Sequence, residues 1–477
     1  MAEVPTARVI RLVRERPWRV AEVLIGLYVL GVLPSLGQSL LESHAFRQTQ
    51  TAYTAFLYAE HGIDLLRPPL PVLGPPGIIP LEFPLFQAAG ALFMNGGLGA
   101  DLAMRITGLT SFAGTAVLVF VLARRLLSPI AALVALAAFL FNAQAWVYGR
   151  ASLIEYLAAG SGVAFLLLAM RWTDTGRARH WVLAMVAGAL GMLVKITTGG
   201  FYLLPALFLK DHQGRWGFQS PGMWALVGGA GVAGLAWSAY AQGVRMETPA
   251  AAFLSVQNQP AWLFGTLSQR LDPGEWRVPL VAMLMLTGSG LVVWGPLAVL
   301  RARVHRRAAF ALALVGMAIA PPLVLFNLYA VHDYYFAAVA PLVAIGIGLG
   351  VEWLTGHRAR RWARRTIVGL AGAWVASMIG FFPTWSIIYG TPPEEDRALR
   401  ISGFIEEHSA PSDWVVVRGL DWNASFLYYA RRQGLSVPNP STLQDTSTVD
   451  WVELLTDPRL GPDITCDRDA GCQVVNP

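Results

Sequence analysis

Charged residues are scarce in this chain. Asp, Glu, Lys and Arg together make up only 14% of its 477 residues, whereas hydrophobic residues make up 55% and the mean hydropathy is +0.49. So little charge excludes an ordinary soluble globule, and the composition is typical of a membrane protein with several spans. The net charge of +6 is not collected on one basic face, and we therefore predict no nucleic-acid partner.

Cysteine is almost absent. The two cysteines, Cys466 and Cys472, lie close together near the C-terminal end. In an oxidising compartment they could close a short disulfide loop, and two unpaired thiols are the alternative. A cleavage site of small residues is also missing after the first apolar run, which indicates a retained membrane helix rather than a removed signal peptide.

Long apolar runs are abundant, and arginine separates them in a regular way. Eleven runs alternate with connections that are rich in basic residues on one side only. Because basic residues mark the cytoplasmic side, the pattern predicts a cytoplasmic N-terminus, an extracytoplasmic C-terminus and a location in a bacterial plasma membrane. The predicted fold is an all-α polytopic membrane protein with about 11 transmembrane helices. Its spans are residues 20–40, 105–122, 130–146, 153–170, 181–194, 199–209, 224–241, 278–300, 309–329, 336–354 and 367–388.

Two outer loops and a polar tail interrupt this pattern. The first loop, residues 41–104, contains helix-breaking proline segments, and we predict two short interfacial helices in it, around 45–61 and 84–95. The second loop is residues 245–277. From residue 391 the chain turns polar, with one strand-like and one helix-like run, which predicts a small extracytoplasmic α/β domain (391–477) after a transmembrane domain (1–390).

Polar and ionisable side chains are dense in residues 42–51, directly after the first span. If this segment is helical, His44, Arg47, Gln48 and Thr51 fall on one face at i, i+3, i+4 and i+7, with Glu42 just before them. An imidazole, a guanidinium, an amide and a hydroxyl in one row can bind an anion. We therefore predict that this segment forms one wall of an active site at the outer membrane surface.

Other ionisable residues lie at the outer ends of predicted spans, where a charge is a functional candidate. Glu82 opens a helix that starts at a proline, Arg150 precedes Glu155 by five residues, and Lys195 ends the fifth span. Each has a structural alternative. Glu82 could complement a helix dipole, Arg150 and Glu155 could pair locally, and Lys195 could snorkel to the interface.

The segment His332-Asp333-Tyr334-Tyr335 opens the tenth span. Tyrosine pairs at that depth are commonly part of an aromatic belt. A histidine beside an aspartate has no role in such a belt. The two side chains could ligate a metal, act together as a general base, or donate a hydrogen bond to a phosphate. The segment is too short to decide between these roles.

The order of these features resembles the GT-C glycosyltransferases that use polyprenyl-phosphate sugars, especially the protein O-mannosyltransferases and the lipid A aminoarabinose transferases. The resemblance covers roughly residues 20–350. It is carried by the large first loop, the Glu82–Gln87 patch, the Arg105 segment, Arg150 with Glu155, Lys195, and by Tyr53, Tyr58, Glu60 and Gly62 in the later part of the first-loop motif. The chain departs from the family at Arg47-Gln48, where the family has an Asp-Glu pair.

The resemblance implies transfer of a sugar from a polyprenyl-phosphate carrier to an acceptor hydroxyl, with inversion at the anomeric carbon. The acceptor could be a lipid, a polysaccharide or a protein. The implied phosphate-binding residues are Arg47, Arg150, Lys195 and His332, and the implied substrate-binding residues are Gln48, Glu82, Asp333 and Tyr335. The base that replaces the missing carboxylate would be His44, Glu42 or Glu155.

A divalent metal is compatible with Glu42, His44 and Asp333, but no spacing specifies a metal site and no cofactor is predicted with certainty. Two other functions stay open. A flippase or transporter for a lipid-linked saccharide would place polar groups near the bilayer midplane. A catalytically inactive scaffold would explain the missing Asp-Glu pair.

Overall fold

The computed structural model describes residues 15–254, 259–357, 360–381, 388–392, 395–437, 454–467 and 471–476. Arg8, Arg11 and Arg14, which contribute to the predicted cytoplasmic N-terminus, lie outside these residues. Helices dominate the described residues, as the sequence predicts.

The helices of the N-terminal half are α1 (Pro17–Val32), α2 (Ala45–His61), α3 (Leu85–Asn95), α4 (Ala100–Leu126), α5 (Pro129–Leu140), α6 (Ala143–Tyr148), α7 (Glu155–Thr175), α8 (Ala178–Val194), α9 (Ile196–Leu203) and α10 (Pro221–Arg245). Those that follow are α11 (Gln259–Phe264), α12 (Leu267–Leu271), α13 (Arg277–Thr287), α14 (Leu291–Arg303), α15 (Ala308–Met317), α16 (Ala320–Val324), α17 (Phe326–Val331), α18 (Phe336–Gly356), α19 (Arg361–Gly380), α20 (Glu395–Glu407) and α21 (Ala424–Ala430). The strands are β1 (Trp414–Arg418), β2 (Gln433–Val437), β3 (Leu460–Asp467) and β4 (Gly471–Asn476).

Five helices in the described part of the chain are long and apolar enough to cross a membrane, and a sixth span forms if the bent pair α13 and α14 counts as one. Most of the other predicted spans fall on shorter or broken helices, whereas the predicted eleventh span falls partly on α19, which is 20 residues long, and partly on residues 382–387, outside the described residues. The predicted ninth span, for example, is divided into α15, α16 and α17 around Pro321 and Pro322, because proline cannot continue a helix. The number of eleven spans therefore stays a prediction, whereas the two predicted loop helices correspond to α2 and α3.

The apolar core of the membrane part is built on α4, α5, α7 and α18. Phe112 of α4 stacks on Phe139 of α5, and both rings contact Tyr156 of α7. A side chain at Gly108 of α4 would collide with the carbonyl group of Ala151. Glycine at this position therefore lets the segment between α6 and α7 lie against α4.

The C-terminal strands form one sheet in the order β2-β1-β3-β4, with β1 parallel to β2 and β3 and with β4 antiparallel to β3. Cys466 and Cys472, which face each other on β3 and β4, are joined by a disulfide. Helices α20 and α21 pack together beside this sheet. This arrangement is the small α/β unit that the sequence predicts, although its boundaries at 391 and 477 stay predictions.

The α/β unit shares one apolar core with the first loop. The outer edge of β2 exchanges main-chain hydrogen bonds with the loop, since Gly74 N donates to Gly434 O and Ser436 N donates to Val72 O, both at 2.9 Å. The Tyr53 hydroxyl of α2 donates to Arg432 O at 2.6 Å. These contacts hold α2 between the membrane helices and the C-terminal sheet.

Candidate active site

The entry to α2 is anchored by one carboxylate between two arginines. Oε1 of Glu42 accepts from Nη1 of Arg105 at 2.9 Å, and its Oε2 accepts from Nη2 of Arg150 at 2.7 Å. All three side chains are fully buried. Taking charges out of water is expensive, and a close ion pair offsets that cost only while both partners are present.

This buried cluster contains three residues that the sequence placed at the open surface. Both oxygens of Glu42 accept hydrogen bonds from arginine, and Arg150 contacts Glu42 rather than Glu155, so the structure does not adopt the alternative of a local Arg150–Glu155 pair. Gln48 is also fully buried, donating to Ser43 O at 2.9 Å and accepting from Ser152 N at 3.0 Å. These contacts hold the entry to α2 in place, and the catalytic or binding roles predicted for the three residues stay predictions.

His44 precedes α2 and does not belong to its face. The helix begins at Ala45, and His44 has a φ of 57°, in the left-handed region that side chains rarely adopt. The predicted row is therefore divided. His44 lies outside the helix, Gln48 points into the buried cluster, and Arg47 points towards Glu82. Thr51 donates to Arg47 O at 3.1 Å.

The imidazole of His44 is paired with Asp333. Its Nε2 lies 2.7 Å from Oδ1 of Asp333, which also accepts from the Tyr148 hydroxyl at 2.7 Å. Because a carboxylate only accepts hydrogen bonds, Nε2 carries the proton, and in a neutral imidazole Nδ1 then keeps its lone pair. The side chains of His44 and Asp333 are 25% and 29% exposed, so this pair is more open to a ligand than the buried Glu42 cluster.

Arg47 is paired with Glu82. Nη2 of Arg47 donates to Oε2 of Glu82 at 2.6 Å, and its Nη1 donates to Oε1 of Gln50 at 3.3 Å. Burial lowers the pKa of Arg47, but the carboxylate of Glu82 more than offsets this, so the pKa lies above its ordinary value. Glu82 precedes α3, which begins at Leu85, and it serves this ion pair instead of the helix dipole.

Lys195 is paired with Glu155 at the opposite side of the same region. Nζ of Lys195 donates to Oε1 of Glu155, and it lies 3.9 Å from the ring centroid of Tyr335 and 5.5 Å from that of Tyr334. The lysine side chain is only 9% exposed, so the snorkelling alternative is wrong. Oε2 of Glu155 has no hydrogen-bond partner within the described residues.

His332 is a neutral member of the group. Burial lowers its pKa to about 3, with smaller contributions from the neighbouring His44 and Lys195 side chains. It can therefore donate an N–H to a ligand at neutral pH but cannot attract a phosphate as a cation. Its ring lies 5.6 Å from that of His44 and 5.3 Å from that of Tyr334.

Tyr334 lies beside His44 and Lys195, and Arg47 is near enough to interact electrostatically with it, so the three pairs of side chains meet in one region. The ring of Tyr334 lies 4.7 Å from that of His44 and 4.6 Å from that of Tyr335, and Lys195 faces both tyrosines. The chain thus brings α2, the segment before α3, the end of α8 and the segment before α18 to one place. The arrangement can hold an anion with the remaining N–H groups of Arg47 and Lys195 and accept a proton on His44.

The sequence did not identify Tyr148, Gln50 and Gln87 as members of this region. Gln87 belongs to the Glu82–Gln87 patch, but no sequence periodicity distinguishes its amide from the other side chains of α3. Within the described residues, no group of three or more His, Cys, Asp or Glu is placed to hold a metal ion. His44 and Asp333 do meet, but the two oxygens of Glu42 are taken by arginines.

The architecture defines a class of membrane protein. A bundle of apolar helices, two loop helices at one of its ends and a C-terminal sheet that covers the first loop together form the GT-C fold, known from membrane glycosyltransferases.

A family model matches part of the chain. The profile of the dolichyl-phosphate-mannose-protein mannosyltransferase family matches residues 80–238, which include Glu82, Arg150, Glu155 and Lys195. No curated protein matches the sequence.

Solved structures match over almost the whole chain. ArnT from Cupriavidus metallidurans bound to undecaprenyl phosphate is 14% identical, with a TM-score of 0.64 over 97% of this chain and 94% of ArnT. The same protein in the apo state gives 15% identity and a TM-score of 0.59, with coverages of 94% and 92%. AglB from Archaeoglobus fulgidus, an oligosaccharyltransferase in complex with an inhibitory peptide and a dolichol-phosphate, is 13% identical, with a TM-score of 0.59 and coverages of 95% and 70%.

Proposed function

We propose that the protein is a membrane glycosyltransferase that moves a sugar from a polyprenyl-phosphate carrier to a hydroxyl group of an acceptor outside the cytoplasm. The observation that carries the proposal is the meeting of the Arg47–Glu82, Lys195–Glu155 and His44–Asp333 pairs around Tyr334. The polyprenyl phosphates bound to ArnT and AglB support a lipid-linked donor. The acceptor is a lipid, a polysaccharide or a protein.

The carrier phosphate is bound by Arg47 and Lys195 in this proposal. Arg47 uses two of its five N–H groups on Glu82 and Gln50, and Lys195 uses one of three on Glu155, so both keep donors for phosphate oxygens. His332 adds a neutral N–H. Arg150 is left out, because its side chain is fully buried against Glu42.

His44 is the proposed base. Asp333 holds the protonated Nε2, which leaves Nδ1 to take the proton of the acceptor hydroxyl. The oxygen of that hydroxyl forms a bond to the anomeric carbon, while the bond from that carbon to the phosphate oxygen breaks and its electron pair leaves with the carrier phosphate. One displacement inverts the anomeric centre. Glu42 is enclosed by arginines, and Glu155 is 1% exposed, so both are poorer candidates.

Mass analysis of lipids that co-purify with the protein from native membranes tests the proposal, together with transfer of a labelled sugar to membrane acceptors. We expect a co-purified polyprenyl phosphate and a transferred sugar. We also expect His44→Ala to abolish transfer, whereas His61→Ala, at an exposed position, should leave transfer unchanged. A co-purified carrier without any transfer would instead favour the flippase. Neither carrier nor transfer would favour the inactive scaffold.

A further inference from the structure

Two buried glutamines flank the Arg47–Glu82 pair, and each keeps one polar atom without a partner. Gln50 is 2% exposed and Gln87 is 5% exposed. Within the described residues, Nε2 of Gln50 and Oε1 of Gln87 make no hydrogen bond. Buried polar atoms are almost always hydrogen-bonded, so each such exception requires an explanation, such as a missing ligand or water.

The ion pair fixes the orientation of both amides. Oε1 of Gln50 accepts from Arg47 at 3.3 Å, whereas Nε2 of Gln87 donates to Glu82 at 2.9 Å. Turning the Gln50 amide over would put its N–H groups against a guanidinium, and turning that of Gln87 over would put its oxygen against a carboxylate. The charges therefore leave a hydrogen-bond donor on Gln50 and an acceptor on Gln87.

Both glutamines line one narrow crevice with Arg47, Glu82, Thr51 and Thr54. The two threonine hydroxyls already donate to main-chain oxygens, to Arg47 O and Pro69 O. The free space, about 10 Å³ for the centres of water-sized groups, accommodates one water or one hydroxyl. A hydroxyl both donates and accepts, so it is complementary to the amide donor and the amide oxygen together.

We propose that Gln50 and Gln87 form a specificity subsite that binds one hydroxyl of the transferred sugar. The inference rests on the proposed function. It assigns the hydroxyl to the donor because the crevice adjoins Arg47, which binds the carrier phosphate, and that phosphate is attached to the same sugar ring. A sugar without this hydroxyl leaves both amides unpaired, and a site built to bind a hydroxyl discriminates strongly against such an analogue.

The test measures donor affinity for the full-length protein in lipid nanodiscs. The probes are undecaprenyl-phosphate-linked glucose, galactose, mannose and arabinose, and then the single-deoxy forms of the donor that binds best. We expect the wild type to bind one deoxy form roughly tenfold more weakly than the parent. Gln50→Ala and Gln87→Ala should each weaken binding of the parent and discriminate less between parent and deoxy form than the wild type does.

Gln242→Ala is the matched control, because Oε1 of Gln242 accepts from Arg245 at 2.9 Å in the same i, i+3 arrangement but does not line the crevice. It should bind donors like the wild type. If the two crevice variants discriminate against the deoxy forms as the wild type does, the crevice holds only a water and the inference is overturned. If the wild type binds none of the four donors, the proposed function fails, and the inference fails with it.

Discussion

Arg47 and Glu82 are 35 residues apart in the sequence and 2.6 Å apart in space, between Nη2 and Oε2. Their side chains are 14% and 10% exposed, so the pair lies near the surface but is largely shielded from water. The pair connects the helix after the first span to the segment before α3. It also fixes which atom of the Gln50 and Gln87 side-chain amides faces the ion pair, so this one contact positions much of the proposed donor site.

Replacing Arg47 by alanine should reduce sugar transfer by about a hundredfold, because a preorganised donor to the leaving phosphate is lost. The rate of transfer by the purified protein provides the measurement. The exposed pair of Arg67 and Glu247 offers a control, since its side chains are 43% and 44% exposed. Arg67→Ala should leave the rate unchanged, and an equal loss in both variants would contradict a specific role for Arg47.

Replacing Glu42 by alanine should destabilise the protein by about 3–5 kcal/mol, because Arg105 and Arg150 would then be buried without a carboxylate. Thermal unfolding in detergent measures this effect. Glu22, which pairs with Arg19 on the exposed surface of α1, is the control, and Glu22→Gln should unfold like the wild type. A Glu42→Ala protein of normal stability would rule out the anchoring role.

Lys195 can be tested without leaving a buried charge. The double variant Lys195→Met with Glu155→Gln removes both charges of the pair together and should remain folded. We expect its affinity for undecaprenyl phosphate, measured by native mass spectrometry, to fall at least tenfold, because a cation that faces the phosphate is lost. The variant Glu155→Gln alone keeps the lysine and should bind the lipid more tightly than the double variant. Equal affinity of both would remove Lys195 from the phosphate site.

His332 should make the protein sensitive to acid. Its pKa is about 3 in the folded protein against 6.5 as its ordinary value, so the unfolded chain binds the proton first as the pH falls. The stability contributed by the neutral ring is therefore complete above pH 6.5 and decreases below it, by about 1.4 kcal/mol per pH unit.

Thermal unfolding at pH 7 and pH 5 checks this expectation. His332→Asn should lose less stability between these two values than the wild type does, whereas the exposed His61→Asn should behave as the wild type. The same loss in all three proteins would show that other groups cause the acid sensitivity.

The fold could be predicted from the sequence because hydrophobic length and arginine placement are local signals. The loop helices, β1 and α21 follow from runs of residues that are neighbours along the chain. The interruptions of the spans were harder to foresee. Pro321 and Pro322 divide one apolar run, and Gly288, with a φ of 62°, separates α13 from α14, although the apolar composition continues across both places.

Most of the charged side chains that meet in this region could be named from the sequence, but their partners could not. Glu155, five residues away, is the carboxylate that the sequence offers as a local partner for Arg150, yet Arg150 contacts Glu42, 108 residues away. Partner choice between buried charges depends on which side chains the helices bring together, and helical periodicity contains no information about other helices. The same limit applied to His44, whose left-handed backbone takes it out of the predicted row.

The hydrogen bonds between the first loop and β2 set a condition on how the protein is made. Residues 71–74 leave the ribosome some 360 residues before their partners in 433–437, because all the membrane helices after α1 lie between them. Contacts so distant in sequence form late, since a long loop must close first. The proposed site would therefore become complete only after synthesis is almost finished, and a prematurely terminated chain would insert its membrane helices with α2 still uncovered.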